Sequence, residues 1–235
     1  MGKHLIFTSL GDRQSILDTY EAALAPGFDL VSFFYGSRPE VRERAGRLSR
    51  VMESGKGGKM QALKSMWQRH AQVFAQYEAI WVCDADLVGE RGDPRELADS
   101  LLRFNLSVIS PAHSFRGKIS HPVHAPVDGP HTLRIVNFVE CNFPMFSHGA
   151  LDRFMRAFDG SLTGFGTDWW YLNVLECNRR AGAAILDRVV VVNPRDEPRE
   201  IDRLKSAPER QAEWAAKKAE LGFEEWPVRT LHFIY

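Results

Sequence analysis

Short apolar runs alternate with longer stretches whose apolar positions recur at steps of three and four, and this alternation sets the plan of the first half of the chain. Leu5 to Ser9 predicts a first strand, and Phe28 to Tyr35 a second, closed by Gly36. Ile80 to Cys83 and Leu106 to Ser110 predict two more, the latter ended by Pro111. Between them, Ile16 to Leu24 reads as a helix. Met60, Leu63, Trp67, Ala71 and Phe74 mark one strong amphipathic face, opened by Gly57-Gly58-Lys59. Pro94 to Phe104 is a further helix with proline in its first turn. The charged stretch from Arg38 to Lys56 is expected to be mobile or only partly helical. Strand–helix alternation of this kind is the signature of an α/β layer fold on a mainly parallel sheet.

The second half is less regular. Residues 111–132 carry four histidines and four prolines, which predicts a long loop over the sheet edge. Leu133 to Glu140 and Pro144 to Ser147 read as extended, Ala150 to Phe158 and Asp168 to Arg180 as helical, and Ile185 to Val192 as a last core strand. Beyond Pro194 the chain turns charged, with a surface helix from Pro208 to Leu221 stopped by Gly222. The final Leu231-His-Phe-Ile-Tyr is apolar and expected to dock back. We therefore expect one α/β domain over residues 1–193, with residues 194–235 as an extension packed on it.

Composition narrows the setting. At 235 residues, 44% apolar and 26% charged, the chain has the make-up of a soluble globular protein with room for a substantial core. Thirty basic residues balance thirty acidic ones, so no global field points to nucleic acid or an anionic membrane. No segment approaches the ~20 apolar residues of a membrane span, and the first apolar run is too short for a signal-peptide core. Three widely spaced cysteines, Cys83, Cys141 and Cys177, fit reduced thiols in a cytoplasmic protein.

The densest chemistry lies in Trp81-Val-Cys-Asp84-Ala-Asp86-Leu, where an apolar run ends in two carboxylates one residue apart. In extended backbone these positions face the same side. The tip of a buried strand is where α/β proteins usually hold ligands, and paired carboxylates suit Mg²⁺ or Mn²⁺. A solvated turn after a strand gives the same pattern. Lys59, at a glycine-flanked helix start, combines an ammonium with backbone N–H groups into an anion site, or else sits in a surface loop. In Gly164-Phe-Gly166-Thr-Asp168, Thr167 is placed to cap a helix with Asp168 in its first turn. Trp169, Trp170 and Tyr171 follow and cannot all share one helix face, so one is expected near the surface, where its ring could stack on a sugar. The histidines His113, His121, His124 and His131 match no common zinc spacing. Lys118 and Arg134 are candidates for a phosphate on an acceptor.

Taken in order, Gly57-Gly-Lys59, Asp84-Ala-Asp86, Val139-Glu140-Cys-Asn-Phe-Pro144-Met-Phe-Ser147 and Gly164-Phe-Gly-Thr-Asp168-Trp-Trp-Tyr171 resemble the GT-A class of glycosyltransferases. They are closer still to an uncharacterised DUF-type family of GT-A-like proteins. The resemblance covers roughly residues 4 to 193 and implies a single GT-A-like, Rossmann-like domain. It implies a nucleotide-sugar donor, a glycan or small-molecule hydroxyl acceptor, and Mn²⁺ or Mg²⁺ with Asp86 as the direct ligand and Asp84 coordinating through ribose or water. A third metal ligand, often a late histidine, is missing where Val192 runs into Asn193-Pro194; His232 is the substitute candidate. The resemblance further assigns donor contacts to Thr8, Gly11 and Asp12 at the end of strand one and a phosphate contact to Lys59. Glu140, Gly166 and Trp169 would recognise substrate, and Asp168 would act as general base toward the acceptor. Two other readings stay open. One is a degenerate domain that only binds carbohydrate or a partner. The other is nucleotidyl transfer, against which the sparse Gly11-Asp-Arg13 loop counts.

Overall fold

The computed structural model describes residues 4–195 and 200–235. Among them, ten strands form one mixed sheet: β1 (His4–Leu10), β2 (Phe28–Phe34), β3 (Ser49–Ser54), β4 (Ala79–Asp84), β5 (Val88–Arg91), β6 (Val108–His113), β7 (Leu133–Val136), β8 (Met145–Ser147), β9 (Ala183–Val192) and β10 (Thr230–Ile234). The helices are α1 (Ser15–Thr19), which runs on as a π turn, α2 (Pro39–Leu48), α3 (Lys59–Arg69), α4 (Ala71–Phe74), α5 (Arg95–Arg103), α6 (His148–Ala157), α7 (Thr167–Val174) and α8 (Ala207–Leu221).

The strand order is β10-β7-β9-β6-β8-β4-β1-β2-β3, with β5 pairing β9 off this path. Strand β1 is parallel to both β2 and β4, β2 to β3, and β6 to β9; β8 lies antiparallel between β4 and β6. The chain therefore moves from β1 outward through β2 and β3, then crosses back to β4 on the other side. That reversal leaves a crevice beyond the carboxyl ends of β1 and β4.

The pleat sorts the apolar runs into two cores. Leu5, Phe7, Ile80 and Val82 pack with Met60, Leu63 and Met66 of α3, Phe154 of α6 and Tyr171 of α7. Ile6, Trp81 and Cys83 point to the other face, against Ile16, Leu17, Leu97 and Leu101. Covered on both faces, β1 and β4 read as continuous apolar runs rather than as an alternation.

The structure departs from the sequence reading in several places. The segment Arg38 to Lys56, expected to be mobile or only partly helical, is helical over α2, opened by Pro39, and runs directly into edge strand β3. Its polar side chains made an exposed helix and an edge strand look like loop. Strand β6 runs through Pro111 to His113; its register with β9 slips there, Pro111 facing Leu186 but Ala112 facing Val190, so the proline sits at a bulge. Helix α7 stops at Val174 rather than Arg180, because the chain enters the left-handed region at Glu176 (φ 55°). The surface helix is α8, capped by Ser206 with Glu209 and ended by Gly222 at φ 64°. Its Trp214 is buried in the first core, and β10 pairs with β7. All three cysteines are free, Cys83 and Cys177 buried and Cys141 partly so.

Candidate active site

In register, Ser9 of β1 pairs with Asp84 of β4, so the two strands end together at the crevice. Asp84 continues the face of Ile80 and Val82, the face that α3 covers, and this brings Lys59 of α3 to it. Asp86 is not in extended backbone but in the turn that follows β4. The two carboxylates still interact: burial first, then the charge of Asp84, pushes Asp86 up to about 6. Asp86 Oδ1 is buried and has no hydrogen-bond partner.

Alongside β4 runs the segment 140–144, held by Val82 N–H donating to Pro144 O (2.8 Å) and Asp84 N–H to Asn142 O (3.0 Å). Lys59 Nζ lies 2.6 Å from Asp84 Oδ1 and donates to Cys141 O (2.6 Å) and Asn142 O (3.0 Å). Burial opposes its charge, but Asp84 outweighs it and holds the ammonium pKa above its ordinary value. An ammonium has three protons, so no proton of Lys59 is left for the phosphate contact expected of it.

Glu140 begins this segment. Its N–H donates to His124 Nε2 (3.1 Å), and its Oε2 lies 3.9 Å from His113 Nδ1. His113 and His124 are fully buried, their rings stacked at 4.6 Å. Burial drives both imidazoles toward the neutral form, His113 to about 4 and His124 well below the ordinary histidine value. The carboxyl of Glu140 moves the other way, to about 7, through burial and then the nearby charge of Asp168. Nothing in the spacing of these histidines betrayed this packing; they come together only because β6 and the turn after it fold under residue 140.

Asp168 enters from α7. Thr167 does not cap that helix: its hydroxyl donates to Gly164 O (2.7 Å), while Asp168 Oδ1 accepts the N–H of Trp169 (2.9 Å). Burial pushes Asp168 up to about 6, against the backbone donors that favour its charged form. The expected helix-end stabilisation is therefore outweighed by desolvation. Its charge is felt by Glu140 and Cys141, at the start of the segment that runs beside β4. Gly166 sits at φ 85°, and a Cβ there would lie 2.3 Å from the Trp214 ring, so this glycine is required by packing. Of the three aromatics, Trp170 and Tyr171 are buried. Trp169 is half-buried, flanked by Phe138 at 4.9 Å and Trp226 at 5.1 Å. Trp226 arrives from the tail, which Asn137 grips through Pro227 O (2.9 Å) and Arg229 N–H (2.8 Å).

The remaining candidates fall elsewhere. Asp12 accepts from the Ser37 and Arg38 N–H groups (2.7 and 2.8 Å) and from the Ser37 hydroxyl (2.8 Å). Those donors, Arg38 first, keep its carboxyl below the usual range, and they tie the β1 loop to the loop after β2. Thr8 is fully buried with an unpartnered hydroxyl, and Gly11 is buried beneath Gly36. His232 is exposed on β10, five strand positions from β4, and does not join Asp84 and Asp86. Arg134 is not available for an acceptor phosphate: it is buried in a bidentate pair with Asp187 (2.7 and 2.7 Å) and also binds Val123 O and Ala125 O. Next to the crevice, an open groove of about 810 Å³ lies between α2 and the ends of β2 and β3, lined by Tyr35, Arg38, Arg42, Met52 and Lys56. Sequence reading missed it because the charged stretch from Arg38 to Lys56 carries no sign of the strand that forms one wall.

Among the described residues no three or more His, Cys, Asp or Glu side chains form a metal cluster. Mg²⁺ is commonly held by one or two carboxylates completed by substrate phosphates, and the orphaned oxygen of Asp86 beside Asp84 fits that kind of site. No described helix is long and apolar enough to cross a membrane.

The architecture, a mainly parallel sheet flanked by helices, is shared with solved structures of low sequence identity. S. aureus TarS superimposes over 92% of this chain with a TM-score of 0.61 at 12% identity. The 1–349 form of S. aureus TarS covers 93% with a TM-score of 0.60 at 11% identity. The chain spans 43% of the longer TarS structure and 72% of the shorter one. At such identity the likeness is one of fold. No protein-family model matches the sequence, and no curated protein does.

Proposed function

We propose that this protein transfers a sugar from a nucleotide-diphospho-sugar to a hydroxyl acceptor. The observation that carries the reading is the unpartnered buried oxygen of Asp86 beside Asp84, at the switch point of the sheet, with Glu140 next to them close enough to Asp168 to feel its charge. The groove beside α2 offers Arg38, Arg42 and Lys56 to the nucleotide end of the donor. A divalent ion on Asp86 and Asp84 would supply Lewis-acid charge neutralisation for the departing diphosphate. The chain's own part is to bring the acceptor to the anomeric carbon and to take its proton. Asp168 in its ionised form accepts that proton as the acceptor oxygen bonds to the anomeric carbon and the bond to the diphosphate oxygen breaks. Trp169, walled by Phe138 and Trp226, offers a ring edge or face to an acceptor sugar.

Calorimetry with UDP and GDP, with and without Mn²⁺, tests the donor half. Metal-dependent binding that disappears in Asp86→Ala is the expected result. The engagement of Asp84 by Lys59 favours one other reading, a domain that binds carbohydrate or a partner without transfer. Failure of every nucleoside diphosphate to bind would select it.

A further inference from the structure

Lys59 stands at the centre of the crevice, yet the transfer chemistry gives it no step. Its side chain is 12% exposed, its three protons meet Asp84 Oδ1, Cys141 O and Asn142 O, and the acceptors come from two different chain segments. Those same segments are already zipped by Val82 N–H to Pro144 O and Asp84 N–H to Asn142 O. The lysine closes the zipper at its open end. Asp86 differs in every respect: it lies past the strand in a turn, and its Oδ1 is buried without a partner.

We propose that Lys59 is a positioning residue that works as a tethered cation: it neutralises Asp84 within the protein, pins that carboxylate to the Cys141–Asn142 backbone, and leaves Asp86 as the carboxylate of the pair open to a divalent ion. Three consequences follow from charge alone. Lys59 and a divalent ion compete for Asp84, because a cation bound by Asp84 would sit within a few ångströms of a fixed ammonium. Metal affinity is therefore set below what two free carboxylates would give. The ammonium also keeps the 140–144 segment, and with it Glu140, in place against β4 whether or not a metal is bound.

The proposal rests on the sugar-transfer reading for its biological sense, but its test does not. Free Mn²⁺ is titrated into the full chain and followed by electron paramagnetic resonance, with circular dichroism confirming that each variant is folded. Asp86→Asn is expected to weaken Mn²⁺ binding about tenfold or more, while Lys59→Met combined with Asp84→Asn, which removes both charges of the internal ion pair together, stays within about threefold of the parent. Lys59→Met, which frees Asp84, is expected to tighten Mn²⁺ about tenfold. A purely structural lysine would instead cost stability and leave Mn²⁺ affinity where it was. A loss in the combined Lys59→Met and Asp84→Asn variant equal to that of Asp86→Asn would overturn the proposal, as would unchanged or weaker binding in Lys59→Met, or no binding by any variant. Should Lys59→Met alone fail to fold, the comparison of the combined variant, which leaves no unpaired buried charge, with Asp86→Asn decides. Failure of nucleoside diphosphates to bind would strike the transfer reading and leave this result standing.

Discussion

Glu140 and His113 face each other across 3.9 Å without a hydrogen bond, an acid and an imidazole both held toward their uncharged forms. Around them stand His124, Asp168, Asp84 and Lys118, with His121 and Arg134 behind His124. For Glu140 the folded value, about 7, lies above the ordinary 4.5, so its contribution to stability is whole below about 4.5 and is lost as pH rises through about 7. Glu140→Gln removes that dependence. The melting temperature of the variant minus that of the parent is expected to climb between pH 4.5 and 7 and then level, as read by scanning calorimetry. A difference flat with pH would show that Glu140 titrates normally.

Under the proposed transfer, Asp168 would set a second pH dependence, on rate. Raised to about 6 by burial, it is protonated below that pH and cannot take the acceptor's proton. Transfer, measured with whichever nucleotide-sugar binds, is expected to fall as pH drops through about 6. Asp168→Asn is expected to lose about 10²–10⁴-fold in turnover with little change in donor affinity. Retention of most of the turnover would remove Asp168 from the role of base.

Gly166 allows a backbone test of how the helix bearing Asp168 is seated. Alanine there meets both the left-handed φ of 85° and the Trp214 ring 2.3 Å away. A loss of about 3 kcal/mol is expected, seen as a lower urea midpoint with an unchanged slope.

The pair Arg134–Asp187 allows a test far from the crevice. Asp187 accepts from both guanidinium edges, from His131 Nε2 (2.8 Å) and from Val127 N–H (3.0 Å), fastening the histidine-rich loop to β9. Asp187→Asn leaves a buried arginine without its counter-charge and is expected to cost about 3–5 kcal/mol in denaturant unfolding. Nucleotide affinity at a permissive temperature should not move.

The parts of this fold that were legible in the sequence are those where one physical rule acts alone. Strands β1, β2 and β4 announce themselves as apolar runs because both faces are covered, and α3 by its repeat of Met60, Leu63 and Trp67. The Asp84–Asp86 pair was visible because a strand end and two carboxylates coincide. Strand β3 was not, since its two apolar residues, Val51 and Met52, stand between Arg50 and Glu53 and make too short a run to signal a strand. Nor could spacing reveal that Lys59 is consumed by two carbonyls some eighty positions later, or that Arg134 serves Asp187 rather than a ligand. Such pairings are made by topology, and a linear pattern holds no record of which loops meet. His232 shows the converse error: a suitable side chain in a plausible region, carried by β10 to the opposite edge of the sheet.

The enclosed cysteines have a practical corollary. Burial pushes the thiols of Cys83, Cys141 and Cys177 up, the last to about 12, so few thiolates exist near neutral pH to meet an alkylating reagent. A cysteine introduced for Phe165, 47% exposed and three positions before Asp168, would outpace all three natural thiols in maleimide labelling. A fluorophore attached there could watch ligands arrive at the crevice without any native cysteine first being replaced.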